Sequence, residues 1–209
     1  MNNTFLKCLL LSITFTVVTE FSNTVLNLKG LLRHFLSDYL TLDQLNSYFE
    51  FQDNWHWLAY FYIYAIILIK TLIIATILYI GLFLSNKDVK YKNAWNIIIK
   101  AESIFLLVPI FKTIWFYYFQ IDYTLQDVQN FYPLSALNIT GYKGFETWFI
   151  YPFQVLNLFE LFYVIYLGFQ IGKLTNTNTD YGLKIVVSSY VPSLLLWVAT
   201  IMFFTLNYS

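Results

Sequence analysis

Apolar positions fall in five long runs, and polar or charged residues gather between them. The runs cover about residues 3–23, 57–84, 94–119, 152–172 and 185–206. At about 1.5 Å of rise per residue, about 20 apolar helical residues cross the roughly 30 Å of a bilayer's hydrocarbon. The pattern therefore predicts an all-α polytopic bundle with five spans, residues 1–209 forming a single integral membrane domain. The first run also fits a signal peptide, but Thr19-Glu20-Phe21-Ser22-Asn23 lacks a small-x-small cleavage site, which favours an uncleaved span.

Two of the connections are long. In the first, Leu28, Leu31, Leu32 and Phe35 recur at helical spacing among Lys29, Arg33 and His34, the pattern of an amphipathic helix at an interface. Asp38, Asp43, Glu50 and Asp53 then make the segment acidic, and Trp55-His56-Trp57 marks a headgroup level. The second, from Gln120 to Tyr151, carries Phe131, Tyr132, Phe145 and Trp148, too dense in aromatics for a free loop. The two segments are predicted to fold together as an outer cap of short interfacial helices. Within the second, Tyr132-Pro133-Leu134-Ser135-Ala136-Leu137-Asn138 is echoed by Tyr151-Pro152-Phe153-Gln154-Val155-Leu156-Asn157. Proline suits a helix start, so the phrase predicts a short surface helix stopping at Gly141, then a spanning helix with Glu160 near its middle. The tendency of Tyr and Pro to collect at interfaces and helix starts accounts for the phrase equally well.

Composition agrees with the runs. Of 209 residues, 58% are hydrophobic and only 11% charged, against about 25% charged in a soluble domain. Net charge is zero, which gives no reason to expect nucleic acid as a partner; the bilayer is the expected one, with another membrane protein beside it. The single cysteine, Cys8, allows no intrachain disulfide and reads as a small apolar residue of the first span. An N-terminus inside puts Lys7, Lys87, Lys90, Lys92, Lys173 and Lys184 in the cytoplasm and leaves Lys29, Arg33 and Lys143 outside. That asymmetry predicts a multi-pass protein of the plasma (inner) membrane with a cytoplasmic N-terminus.

Candidate chemistry lies in the ionisable residues within the runs. A charge at the bilayer centre costs about 2.5–3.5 kcal/mol on insertion scales, so such residues face a bundle interior and find partners. Lys70 and Glu160 fall at similar depth and are expected to pair. Glu102 and Lys112 lie in the third run, and Gln154 and Asn157 precede Glu160 at three-residue spacing, completing an expected intramembrane polar network. Ser188, Ser189 and Ser193 could supply its partners. The network reads either as a structural ion pair fixing register or as an ion or proton path. Gly168-x-x-x-Gly172 has the spacing of a close helix contact, and Pro109, Pro152 and Pro192 are further packing positions.

Other chemistries have thin support. His34 with Asp38, or Asp53 with His56, would give only two ligands where zinc usually takes three or four. No nucleophile-elbow or phosphate-cradling glycine pattern occurs. No catalytic residue, metal or cofactor is expected.

The last two runs resemble the YIP family of five-span membrane proteins. The resemblance rests on Leu156-Asn157-Leu158-Phe159-Glu160-Leu161 leading to Leu167-Gly168, and on Gly182 through Leu194 with its Tyr190-Val191-Pro192-Ser193. It covers about half the chain, the third run with Pro109 included. It implies five spans, an inside N-terminus and a non-enzymatic role in membrane organisation or trafficking. The long soluble N-terminal region of the eukaryotic members is missing, so GTPase binding does not follow. The expected function is a non-catalytic scaffold or accessory subunit of a membrane complex. The alternative is a small solute or proton-coupled transporter using Lys70, Glu102 and Glu160.

Overall fold

A computed structural model describes residues 4–208; Asn3, the first residue of the predicted first span, lies outside them. Helices α1 (Thr4–Val25), α2 (Leu28–Ser37), α3 (Leu42–Asn54) and α4 (Trp57–Leu84) form the first part of the chain. Then come α5 (Tyr91–Glu102), a 3-10 turn (Ser103–Leu106), α6 (Leu107–Tyr118), α7 (Leu125–Asn130) and α8 (Ala136–Thr140). The chain finishes with α9 (Thr147–Val155), α10 (Leu158–Leu174) and α11 (Thr179–Tyr208). The described residues are all-helical, without strands.

Three of these helices, α1, α4 and α11, are long and apolar enough to cross a membrane. In their most apolar windows only 22%, 33% and 22% of the residues are buried within the chain, so most of that apolar surface faces outward, as it does in a bilayer. The third and fourth runs are not single helices. The third is α5, the 3-10 turn and α6 in series. Pro109 explains the tightened turn. Its ring crowds the carbonyl four residues earlier, that of Phe105, and it donates no hydrogen bond back to it.

The fourth run breaks at Leu156 and Asn157. Pro152 lies inside α9 rather than opening the helix that carries Glu160, and Glu160 sits in the first turn of α10 rather than within one continuous helix. Asn157 causes the restart. It is extended, its side chain accepts the Glu160 N–H at 2.8 Å, and its amide donates to the Gln154 and Val155 carbonyls. Two further backbone groups at the break are met by the first Tyr-Pro phrase. The Ala136 N–H donates to the Leu156 carbonyl at 2.9 Å, and the Leu158 N–H donates to the Leu134 carbonyl at 3.1 Å. Ser135 and Asn157 thus pair antiparallel, and a broken helix can persist among apolar neighbours because its polar backbone is satisfied. Pro133, likewise, opens no helix; Ser135 caps α8, which stops at Gly141 with φ 76°.

Packing divides the bundle across its length. At one end, here the basic end, the α4–α5 and α10–α11 connections meet: Tyr181 donates to the Ser85 carbonyl at 3.4 Å, and the Lys87 ammonium lies over the Tyr181 ring. The main core cluster fills the half nearest that end, with Leu78, Leu82, Ala94, Ile98, Leu167, Ile171 and Val186 fully buried. Here Gly168 and Gly172 of α10 receive Gly182 of α11. A Cβ on Gly182 would overlap the Gly168 carbonyl, so this crossing admits only glycine. At the other end, the cap end, α2 packs on α3 and α7, joining the two long connections. There Leu26, Phe116 and Val128 form a second, smaller buried cluster, with Leu28, Leu31, Tyr123 and Phe131 against it.

Candidate functional site

The polar network sits where the packed half meets the open half. Measured from the basic end, Glu102 and Tyr190 lie about 16 Å along their helices, and Lys70 and Glu160 about 21 Å along theirs. Glu102 is the last residue of α5, 2% exposed, and its carboxylate is held from two sides. The Lys70 ammonium donates to Oε2 at 2.8 Å, and the Tyr163 hydroxyl donates to Oε1 at 3.1 Å. Lys70 also lies over the Phe105 ring at 4.3 Å, a contact set up by the 3-10 turn. The next residue of α4, Thr71, accepts from the Trp95 indole at 3.1 Å and ties α4 to α5.

Glu160 is held separately. Its Oε1 accepts from the Tyr190 hydroxyl of α11 at 2.6 Å. The Tyr163 and Tyr190 rings touch, with centroids 5.5 Å apart. The arrangement runs Lys70–Glu102–Tyr163, across a ring contact, to Tyr190–Glu160. The expected direct Lys70–Glu160 pair does not form. The reason is placement: α5 packs against both α4 and α10 and puts Glu102 on Lys70, while the first turn of α10 turns its carboxylate to α11. The serines of α11 do not complete the shell either. Ser188 and Ser189 donate to the Ile185 carbonyl and Ser193 to that of Ser189, all within their own helix.

The other expected members lie elsewhere. Gln154 donates to the Asn130 carbonyl at 3.2 Å and fastens α9 to the end of α7. Asn157 caps α10. Lys112 lines a cleft of 620 Å³ at the cap end, with Glu20, Lys29, Asp53 and His56. In that cleft Lys29 pairs with Asp53 at 2.7 Å, and His56 faces Glu20 at 3.4 Å rather than Asp53. Farther out, Asp127 accepts from the Tyr142 hydroxyl at 2.7 Å and from the Thr124 N–H at 2.9 Å. Partial burial alone would raise its pKa, but the Tyr142 and Thr124 hydrogen bonds outweigh it and hold the carboxyl below its usual value. The same bond to Asp127 pushes the Tyr142 hydroxyl up to about 12.

Tyr163, Tyr190 and Gly182 are the functional-looking residues that the sequence pattern does not single out. Tyrosine in an apolar run counts as an apolar position, and only its spacing of three from Glu160 on one helix face marks Tyr163. Gly182 stands in a polar connection by composition and has no small partner four residues away. Chemically, the network places two carboxylates, two phenols and one ammonium in a chain with every buried polar side chain hydrogen-bonded among the described residues. Neither the 620 Å³ cleft nor a second one of 220 Å³ is lined by Lys70, Glu102 or Glu160. No family model, curated protein or solved structure matches the chain.

Proposed function

We propose that the chain is a non-catalytic integral membrane protein, a scaffold or accessory subunit of a membrane complex, crossing the bilayer five times with its N-terminus cytoplasmic. In that arrangement α1, α4, the α5–α6 rod, the α9–α10 rod and α11 are the spans. The resemblance of the last two runs to the YIP family supports the same reading. The observation that carries it is the exposed cap-end stretch of α4, where every residue from 57 through 62 is exposed, Trp57, Tyr60, Phe61 and Tyr62 among them. Lipid covers apolar surface, but the hydroxyls of Tyr60 and Tyr62, on opposite sides of an unpacked helix, suit a neighbouring protein that offers acceptors. A photo-crosslinking residue at Phe61, activated in native membranes, is expected to give one discrete heavier species. Adducts to lipid alone would remove the accessory-subunit reading.

Proton-coupled transport is the second reading, favoured by one observation. Two rods are interrupted at the level of the network, each beside a carboxylate: Glu102 before the 3-10 turn and Glu160 after the Asn157 break. Interrupted helices at mid-depth are a recurring way to build ion sites. Proteoliposomes carrying the chain should then leak protons, and Glu160→Gln should stop the leak; equal flux in wild type and variant excludes this path.

A further inference from the structure

The cap-end cleft has an unusual charge arrangement. Lys29 is closed by Asp53 at 2.7 Å, and His56 lies against Glu20 at a long 3.4 Å. Lys112 of α6 has no hydrogen bond or ion pair among the described residues, although it is partly buried. Glu20 of α1 has only that long contact to His56 and no lysine or arginine partner among the described residues. An unpaired ammonium and a loosely held carboxylate therefore share a cleft without joining. Charges left open at partial burial are costly, and a ligand of matching polarity relieves both.

Level and size narrow the ligand. His56 stands between Trp55 and Trp57, whose rings stack, and paired tryptophans favour the headgroup level of a bilayer. Leu28, Leu32, Leu125 and Val128 give the cleft apolar walls, and its 620 Å³ lies in the range of about 300–1,000 Å³ typical of small-molecule sites. We propose that the cleft seats the headgroup of a zwitterionic aminophospholipid, its phosphate on Lys112 and its primary ammonium on Glu20. The two charges sit on different helices, so the headgroup bridges α1 to α6, which also meet where Thr113 donates to the Ser22 hydroxyl at 2.7 Å. The inference needs a bilayer around the bundle, not the scaffold role, and stands if the crosslinking at Phe61 fails.

The test uses the full chain, delipidated in detergent and reconstituted into nanodiscs of phosphatidylethanolamine, phosphatidylcholine or phosphatidylglycerol with identical acyl chains. Bound lipid remaining after re-extraction is counted by mass spectrometry, and unfolding is followed by heating. Phosphatidylethanolamine should be retained best and should raise the unfolding temperature most. Lys112→Met should cut its retention about tenfold, the worth of one charge-assisted contact. Lys112→Arg, which keeps the charge, should preserve it and guards against a variant that merely misfolds. Glu20→Gln should abolish the preference over phosphatidylcholine while leaving phosphate-dependent retention. Equal retention of phosphatidylglycerol, or unchanged preference in Glu20→Gln, overturns the proposal. So does full displacement by soluble glycerophosphoethanolamine, which would make the occupant a free phosphodiester rather than a lipid.

Discussion

The two halves of the bundle are built to different rules. Toward the basic end, α10 and α11 run as unbroken helices and touch through Gly168, Gly172 and Gly182, with the main core cluster packed around them. Toward the cap end, α11 continues unbroken but its partner is the separate helix α9, joined by side-chain bonds such as the Trp197 indole donating to the Tyr151 hydroxyl at 2.8 Å. Small residues and dispersion hold the first half; hydrogen bonds from loops hold the second. The difference shows where this chain tolerates irregular backbone. Both rods are interrupted beyond the glycine crossing, and at the Asn157 break side-chain and backbone polar groups meet the opened backbone. Glu102 and Glu160 mark the boundary between the two regimes.

The largest expected effect comes from cutting that boundary on its closed side. Glu102→Ala removes the acceptor of both Lys70 and Tyr163, and Tyr163 is wholly buried. The Lys70 side chain is 44% exposed, so the cost lies below the roughly 3–5 kcal/mol of breaking a fully buried pair, and it should show as loss of folded protein in detergent. Glu160→Ala frees only the Tyr190 hydroxyl and should cost far less, about 1 kcal/mol. Combining Lys70→Met and Glu102→Met with Tyr163→Phe should recover most of the stability, because the three apolar side chains need no partner. If Glu160→Ala proves the more damaging single change, the boundary is misplaced.

Enlarging side chains along α11 compares the halves directly. Gly182→Ala meets the Gly168 carbonyl and the Gly172 nitrogen, both backbone that cannot swing away. Overpacking of this sort costs about 1–3 kcal/mol. Ala199→Leu, on the exposed face of the same helix, should change unfolding by less than about 0.5 kcal/mol. Comparable losses at both positions would mean that the cap-end half is packed after all.

The apolar runs were legible because periodicity and length report burial in lipid directly, and α1, α4 and α11 follow from them. The cap of short helices was legible from aromatic density and the amphipathic spacing of α2. The breaks were not. A proline six residues into α9 and an asparagine cap look, in a string, like polar decoration of one long helix. Only the Leu134–Ala136 backbone, which pairs with Leu156 and Leu158, makes ending the helix at Asn157 favourable, and that partner is distant in sequence. The same break undid the expected Lys70–Glu160 pair. Depth along a helix was readable, but which face a helix turns after an interruption depends on the neighbours. Asn157→Ala isolates this element. It removes a helix cap and two carbonyl contacts, and should cost about 1 kcal/mol with increased amide exchange confined to α9 and the start of α10. Exchange rising equally at Leu167 and Ile171 would contradict a division into two halves.

A small, local effect is expected in the cap, at Asp127 of α7. Asp127 closes the capping box of α7 with Thr124 and accepts from Tyr142, fastening the segment after α8 to the helix packed on α2. Its folded pKa lies below the ordinary carboxyl value of about 3.9. A lowered pKa means the folded state binds protons less readily than the unfolded one, so the contribution is complete above the ordinary value and disappears as pH falls through the lowered one. Because Asp127 lies near the surface, the effect should stay below about 1 kcal/mol. Local exchange at α7 should therefore rise as pH drops below about 4, while the glycine-packed half stays protected. Asp127→Asn should raise exchange at α7 already at neutral pH and flatten its dependence on acid. Tyr142→Phe should do the same to a lesser degree, since the two Thr124 bonds remain. An acid response that survives in Asp127→Asn would locate the titrating group elsewhere in the cap, with Asp122 and Glu146 the nearest carboxyls in sequence.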